Sequence, residues 1–273
     1  MTRDSDAVVR SKFGAAAADY ATSEVHAKGE SLARIVELVA PQKTWVALDV
    51  ATGAGHTAAV FAPHVATIIA SDITDEMLNE AAKLASARGL ANMSTATASA
   101  GALPFPNESF DLVCCRLAAH HFPDLEKFVA EVRRVLKKGG RFALVDNVAP
   151  DQERLPGATP GDIEETIRAY NAFEKLRDPS HGFAPPPELW CDLLRAAGFK
   201  IVAREQMEKE LAFEPWVSRM RCTPADIAEL ERILNSGPAH LRSFLKPRLD
   251  ENGALNFTLQ ELLLVADPTD RNE

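Results

Sequence analysis

Two glycines one residue apart follow a short apolar run and could bring a ligand against the backbone. The run spans Val46 to Val50, and Gly53 and Gly55 come soon after it. Glycine allows a sharp turn and a close backbone approach, and the helix that follows would offer unpaired N–H groups to a ligand. The stretch predicts a buried strand, a cofactor-binding turn and a helix. A tight turn without a ligand is less favoured, since the buried acid Asp49 would cost free energy for structure alone.

Two cofactors are compatible with this turn. The pattern Gly53-x-Gly55-x-x-Ala58 satisfies the dinucleotide fingerprint, and Asp72 lies near the spacing at which that fingerprint places an acid. A carboxylate at Asp49, however, would repel a pyrophosphate and would attract an ammonium, directly or through a water. The pattern Asp-x-x-x-Gly-x-Gly resembles the S-adenosylmethionine loop of class I methyltransferases. We therefore favour S-adenosylmethionine as the cofactor and S-adenosylhomocysteine as the product, with a nicotinamide cofactor as the alternative.

A second apolar run, Val65 to Asp72, ends in an acid. An acid at the carboxyl end of the second strand of a βαβ unit sits where a cofactor ribose presents its hydroxyls. Asp72 is the predicted ribose ligand, and a helix cap or turn residue is the alternative, which Asp75 could serve equally well. Met77 follows in the first turn of the next helix, where it would line an adenine pocket or belong to the ordinary core.

Candidate groups for proton transfer follow two later strands. His120 and His121 come just after the predicted strand Phe110 to Arg116, and Asp146 lies at the end of the predicted strand Arg141 to Val148. Methyl transfer needs a base only if the acceptor keeps its proton near neutral pH. Either histidine could be that base, with Asp146 orienting it. Adjacent histidines in a turn usually diverge, so at most one is expected to face the site, and packing or capping is the alternative role.

Five ordered motifs over roughly residues 10 to 205 carry a family resemblance. They are Leu48 to His56, Ser71-Asp72 with Met77-Leu78, Leu103 to Pro106 with Ser109 to Asp111, His120 to Phe122, and Arg134 to Gly140. Together they resemble class I S-adenosylmethionine-dependent methyltransferases similar to the ubiquinone/menaquinone C-methyltransferases. The resemblance implies an α/β fold, with a Rossmann-like, seven-stranded, mostly parallel sheet and helices on both faces. It also implies methylation of a small-molecule acceptor at oxygen or carbon.

The turn and the resemblance together indicate the cofactor contacts. The predicted residues are Tyr20, Asp49, Thr52, Gly53, Gly55, Asp72, Ile73, Met77, Ser99, Ala100, Arg116 and Leu117. The family often places an acid where this chain has Ser99-Ala100-Gly101. Adenine recognition is therefore expected to rest on Ser99 or on backbone groups of Ala100.

The elements around these motifs divide the chain. Residues 1–43 are expected to form a helical cap, with Phe13 and Tyr20 as core anchors or, alternatively, as parts of a lid. Residues 44–273 are expected to form a Rossmann-like methyltransferase domain, with largely helical insertions on the acceptor side at about 151–187 and 214–250. Both insertions are expected to build an enclosed, mainly apolar acceptor pocket, because they carry several of the few aromatic residues: Phe173, Phe183, Trp190 and Trp216. The helix before the fifth strand is predicted from Leu125 to Leu136, with Lys137-Lys138 in its last turn.

Composition excludes several classes of protein. The 273 residues carry a net charge of −9, which argues against a nucleic-acid partner. The four cysteines lack metal-ligand spacing, and Cys114 and Cys115 would point to opposite faces of a strand. With no apolar run of 18 residues and no apolar leader, a cytoplasmic protein without stable membrane insertion is expected. A homodimer is left open, and so are a nicotinamide-dependent oxidoreductase and a cofactor-binding protein without turnover.

Overall fold

The computed structural model of the protein describes residues 29–269 together with Ala7, Arg10 and Gly14. Most of the predicted N-terminal cap, including Phe13, Tyr20 and His26, lies outside the described residues. The described helices and strands are, in chain order, α1 (Glu30–Val39), β1 (Val46–Val50), α2 (His56–Phe61), β2 (Thr67–Asp72), α3 (Asp75–Ala87), β3 (Met93–Thr97), β4 (Phe110–Arg116), α4 (Leu125–Val135), β5 (Leu136–Asn147), α5 (Pro160–Arg177), α6 (Pro187–Ala196), β6 (Phe199–Ala212), α7 (Phe213–Arg219), α8 (Pro224–Ser236), α9 (Ala239–Leu245), β7 (Arg248–Leu249) and β8 (Leu255–Pro268).

One sheet organises the chain, with strand order β3-β2-β1-β4-β5-β8-β6 and the short β7 paired with β8. The strands β1 to β5 are mutually parallel, whereas β8 runs antiparallel to both of its long neighbours. The predicted mostly parallel sheet is confirmed, and the two-residue β7 brings the described strands to eight. Because β1, β2, β4 and β5 are parallel, the residues that follow them meet at a single edge, where open α/β sheets bind ligands.

Both faces of the sheet are buried under helices. On one face, Cys115 of β4 belongs to an apolar cluster with Phe128 of α4 and Trp190 of α6. On the other face, Cys114 belongs to a cluster with Ile35 of α1, residues of α2, and Ala81 of α3. The two adjacent cysteines therefore point to opposite faces, as predicted. A strand buried on both sides explains why β1 and β4 read as continuous apolar runs in the sequence.

The start of β5 differs from the prediction. The helix α4 ends at Val135, and Leu136 already pairs with Phe110 of β4. The prediction that Lys137-Lys138 close the helix is wrong, because the buried Leu136 gains a ladder position beside β4 and pulls the following residues into extended structure. The ladder between β4 and β5 shifts register between Phe110 and Leu112. This shift accommodates Gly139 and Gly140 of β5.

A third apolar cluster lies under the insertions, away from the main core. It joins Tyr170 and Phe173 of α5 to Trp216 of α7 and Phe257 of β8, together with residues of α8 and α9. The strands β6 and β8 pair along their whole length, from Phe199 with Pro268 to Ala212 with Asn256. Since β5 pairs only with Glu261 to Ala266 of β8, the far half of this two-stranded ribbon extends beyond β5 and supports the insertions.

Candidate active site

A cavity of about 410 Å³ lies at the carboxyl ends of the parallel strands. This volume falls in the range of small-molecule and cofactor sites, roughly 300–1,000 Å³. Its walls come from the turns after β1, β2, β3 and β4, and from the start of α4. The predicted cofactor residues that border it are Thr52, Gly53, Asp72, Ile73, Met77, Ser99, Ala100, Arg116 and Leu117. The residues that the sequence analysis did not assign include His56, Phe122 and Lys127.

The two glycines of the turn have different surroundings. Gly53 has φ +55° and borders the cavity, and a Cβ built there would meet no described atom within 4 Å. Gly55 has φ +87°, and its Cβ would lie 2.8 Å from the Cβ of Ala81 in α3. Gly53 therefore leaves space that a ligand can occupy, whereas Gly55 lets the turn pack against α3 and does not border the cavity.

Backbone strain also marks this edge of the sheet. Ala51 and Leu117, directly after β1 and β4, have φ values of +53° and +54° and both border the cavity. Residues other than glycine reach this left-handed region at a cost, and such positions cluster at functional sites.

Asp49 stabilises the glycine turn through buried hydrogen bonds. Its side chain is buried and accepts hydrogen bonds from Thr52 Oγ1 at 2.5 Å and from the N–H of Ala58 at 3.1 Å. Burial raises the pKa of Asp49 to about 6, although the hydrogen bonds from Thr52, Cys114 and Ala58 oppose the shift. Asp49 does not border the cavity, whereas Thr52 does. The described geometry thus gives Asp49 the role of fixing the turn, with Thr52 between its carboxylate and the cavity.

Asp72 ties the second strand to the glycine turn. One carboxylate oxygen accepts from the N–H of Gly53 and the other from the N–H of Thr74, both at 2.9 Å. Burial raises the pKa of Asp72, and the hydrogen bonds from these N–H groups counteract that effect. Each carboxylate oxygen keeps a further lone pair. Asp72 can therefore hold the turn and still accept hydrogen bonds from a ligand in the cavity.

We expect Asp72→Ala to weaken S-adenosylmethionine binding by about 1.5–3 kcal/mol, roughly 10- to 150-fold, because a charged hydrogen-bond acceptor is lost. Asp75→Ala is the matched control, since Asp75 is exposed and accepts only from Thr97 Oγ1, at 3.2 Å, among the described contacts. Calorimetric titration of both variants measures the difference. Equal losses would show that Asp72 does not contact the cofactor.

A second, smaller cavity of about 70 Å³ adjoins the first. Leu117 and His121 border both cavities, so the two spaces meet at the end of β4. Its remaining walls come from the end of β5, the extended ribbon and both insertions. They are formed by His120, Asn147, Glu174, Arg177, Asp178, His181, Lys209, Leu211, Trp216, Arg219 and Leu259.

His120 is held by Asp146 at the second cavity. Its Nδ1 lies 2.6 Å from one carboxylate oxygen of Asp146, and its backbone N–H donates to the other at 2.8 Å. Burial disfavours the imidazolium, yet the charge and hydrogen bond of Asp146 outweigh it, so the pKa of His120 lies above its ordinary value. With Nδ1 engaged by the carboxylate, Nε2 is the nitrogen that can take up a proton. This is the arrangement of a base with an orienting acid.

His121 borders the same cavity, so the expectation that at most one of the two histidines faces the site is wrong. The two ring centroids lie only 4.2 Å apart. The reason is that Asp146 holds His120 from one side while the carbonyl of Ser180, 3.1 Å from Nδ1, holds His121 from the other. Burial and the neighbouring His120 lower the pKa of His121 to about 4. His121 is thus neutral near pH 7.

We expect Asp146→Asn to lower the pKa of His120. The charge and hydrogen bond of Asp146 stabilise the imidazolium, and their loss leaves burial, which favours the neutral ring. Titration of the histidine ring signals by NMR measures the shift, with His64, an exposed histidine, as the internal control. A pKa of His120 that stays in place or rises would contradict the assigned pair.

The second cavity is more polar than the sequence suggested. Of the four aromatic residues expected to line it, only Trp216 does. Phe173 is buried in the cluster under the insertions, Trp190 belongs to the core of the sheet, and Phe183 is 40% exposed. The second cavity is therefore not the mainly apolar pocket that was expected, because Phe173 and Trp190 anchor helices instead.

Several residues of the site had no signal in the sequence. Glu174 and Arg177 lie on α5, and Lys209 lies on the extended part of β6. Their position at the cavity depends on how the insertions fold back over the ribbon, which no local pattern reveals. Tyr20 lies outside the described residues. Within the described part of the chain, no cluster of three or more His, Cys, Asp or Glu residues could hold a metal ion, and no helix is long and apolar enough to cross a membrane.

The sequence and the fold of this chain are similar to those of known methyltransferases. Residues 48–144 match a family model described as a methyltransferase domain. Over 247 residues the chain is 34% identical to the uncharacterized methyltransferase YcgJ of Bacillus subtilis, which covers 90% of this chain and 93% of that protein. The crystal structure of YcgJ superposes with a TM-score of 0.78 at 30% identity, over 88% of this chain and 98% of that one. A demethylmenaquinone methyltransferase of Thermus thermophilus is 31% identical over 62% of this chain and 80% of its own length.

Proposed function

This chain belongs to the S-adenosylmethionine-dependent methyltransferases, and we propose that it methylates a small-molecule acceptor at oxygen or carbon. Membership in this family favours S-adenosylmethionine over the nicotinamide cofactor that the glycine pattern also allows. The observation that carries the proposal is the pair of adjoining cavities. The larger has the size of a cofactor site, and the smaller contains the His120–Asp146 pair beside it.

The larger cavity has features that fit the cofactor. The open space beside Gly53 admits the close approach of a ligand, and Asp72 offers carboxylate oxygens to ribose hydroxyls. Thr52 and Arg116 would face the amino-acid portion, while Met77, Ser99 and Ala100 would border the adenine. When bound, S-adenosylmethionine supplies an electrophilic methyl group whose sulfonium leaving group is already activated by its charge.

The protein's own part in the reaction is alignment and proton transfer. His120 accepts the proton of the acceptor at Nε2, and Asp146 holds the ring in the required tautomer and stabilises its charge. The walls of the second cavity hold the acceptor toward the shared boundary at Leu117 and His121. Alignment of this kind supplies about 7–11 kcal/mol of the barrier in favourable cases.

Transfer of a labelled methyl group tests the proposal. The protein is incubated with methyl-labelled S-adenosylmethionine and a cell extract divided into small molecules, proteins and nucleic acids. We expect label in the small-molecule fraction, formation of S-adenosylhomocysteine, and neither with Gly53→Val. Label confined to the macromolecular fractions would contradict a small-molecule acceptor. Binding of S-adenosylmethionine without any transfer would instead favour a binding protein.

A further inference from the structure

Glu174 is a buried acid at the second cavity for which the fold supplies an incomplete set of partners. It lies on α5, its exposed fraction is 5%, and it borders the cavity. Its Oε1 has no hydrogen-bond partner among the described residues. Oδ1 of Asn147, which borders the same cavity, also lacks one within that part of the chain. Two residues that border one small cavity therefore each carry a buried acceptor without a donor in the described part of the chain.

Two cationic donors on the cavity wall, Lys209 and Arg177, are engaged with other partners. Lys209 Nζ pairs with Glu261 at 2.6 Å. Arg177 donates through Nε to the carbonyl of Trp216 at 3.1 Å, and its guanidinium lies 4.7 Å from the centre of the Trp216 ring. The other acid on the wall, Asp178, accepts from the hydroxyl of Ser180 at 2.5 Å. Neither donor is paired with Oε1 of Glu174 or Oδ1 of Asn147 among the described contacts.

An unpartnered buried acceptor destabilises the folded protein, and a ligand that donates hydrogen bonds removes that cost when it binds. A ligand without donors would leave the cost in place. The cavity is also small, with a volume of about 70 Å³, and most of its lining residues are polar or charged. A long lipophilic acceptor does not match these walls.

We propose that the acceptor is a small, polar molecule with at least two N–H or O–H donors, recognised by Glu174 and Asn147 beside His120. This inference rests on the proposed function, because it assumes that the second cavity holds the acceptor. It assigns to Glu174 the selection of the acceptor and leaves the proton transfer to His120. The donors can be hydroxyl or amino groups, which have the same hydrogen-bonding chemistry at this wall.

Binding of matched probes to the full-length protein saturated with S-adenosylhomocysteine tests the inference. The probes are the three benzenediols, the three diaminobenzenes and the three difluorobenzenes, which have similar size and differ in their donors. We expect at least one donor-bearing isomer to bind roughly tenfold or more tightly than the difluorobenzene of the same substitution pattern. The diols and diamines show separately whether hydroxyl or amino donors are preferred. No preference for donors in any isomer, or no probe binding at all, would overturn the inference.

Variants of Glu174 assign the preference to this residue. Glu174→Met removes the acceptor oxygens and should abolish the preference, whereas Glu165→Met, an exposed site on the same helix, should retain it. Glu174→Gln keeps one acceptor oxygen and the side-chain shape, so it should show an intermediate preference even if the Met variant fails to fold. An undiminished preference in Glu174→Gln and Glu174→Met would overturn the role of Glu174. Failure of S-adenosylhomocysteine to bind would count against the proposed function itself and is read separately in the same samples.

Discussion

Gly53→Val is expected to abolish binding of S-adenosylmethionine while the protein stays folded. The valine side chain would project into the larger cavity, where nothing described lies within 4 Å of the Cβ position. The backbone there has φ +55°, a left-handed conformation that costs a residue with a Cβ about 1–2 kcal/mol. The first effect removes the ligand's space, and the second strains the turn that holds it.

Gly89→Val separates these two effects. Gly89 has φ +65° and likewise no described atom within 4 Å of its Cβ position, but it lies in the turn after α3 and does not border the cavity. It should lose a similar amount of stability and keep its affinity for the cofactor. Calorimetry and thermal unfolding of both variants decide the matter. Retained affinity in Gly53→Val would mean that the turn does not contact the cofactor.

Trp216→Ala should lower the free energy of unfolding by about 3–5 kcal/mol, as truncation of large buried aromatics does. Trp216 is buried and stacks on Phe173, with ring centroids 5.3 Å apart and planes 16° apart. It also meets Phe257 edge-on at 4.8 Å, so it joins α5, α7 and the ribbon. Its removal would leave a void at the point where three elements meet.

Denaturant unfolding measures this loss, with Phe183→Ala as the control. Phe183 is 40% exposed, and its truncation should change stability by no more than about 0.5 kcal/mol. Affinity for S-adenosylhomocysteine should stay near that of the original protein, because Trp216 borders only the smaller cavity. A variant of unchanged stability would show that the insertions do not depend on this cluster. A loss of cofactor affinity would show that the two cavities are coupled.

The fold and the cofactor edge were predictable because their signals are local. The strands β1 and β4 begin and end where the apolar runs indicated, Val46 to Val50 and Phe110 to Arg116. Strands buried on both faces are largely apolar, so the sequence shows where they run. The placement of Asp72 follows from the same logic, since an acid at the end of β2 must meet the turn after the parallel strand β1.

The second cavity was not predictable in the same way, because its residues meet only through tertiary packing. Glu174 looks like any acid on the surface of an amphipathic helix until α5 folds over the ribbon. Lys209 lies in a strand whose length depends on pairing with β8 rather than on local composition. The aromatic residues of the insertions led to a wrong prediction. Their size indicated a pocket, whereas most of them anchor the insertions or a helix to the core. Adjacent histidines gave no hint that separate partners would hold both rings at one cavity.

Thermal unfolding with four ligands tests most directly whether the larger cavity binds S-adenosylmethionine. The ligands are S-adenosylmethionine, S-adenosylhomocysteine, NAD and NADP, each at a saturating concentration. A ligand at 100 times its dissociation constant stabilises the folded state by about 2.7 kcal/mol, which is readily seen as a higher melting temperature. We predict that S-adenosylmethionine and S-adenosylhomocysteine raise the melting temperature and that NAD and NADP do not. Stabilisation by NAD or NADP alone, or by none of the four, would contradict it.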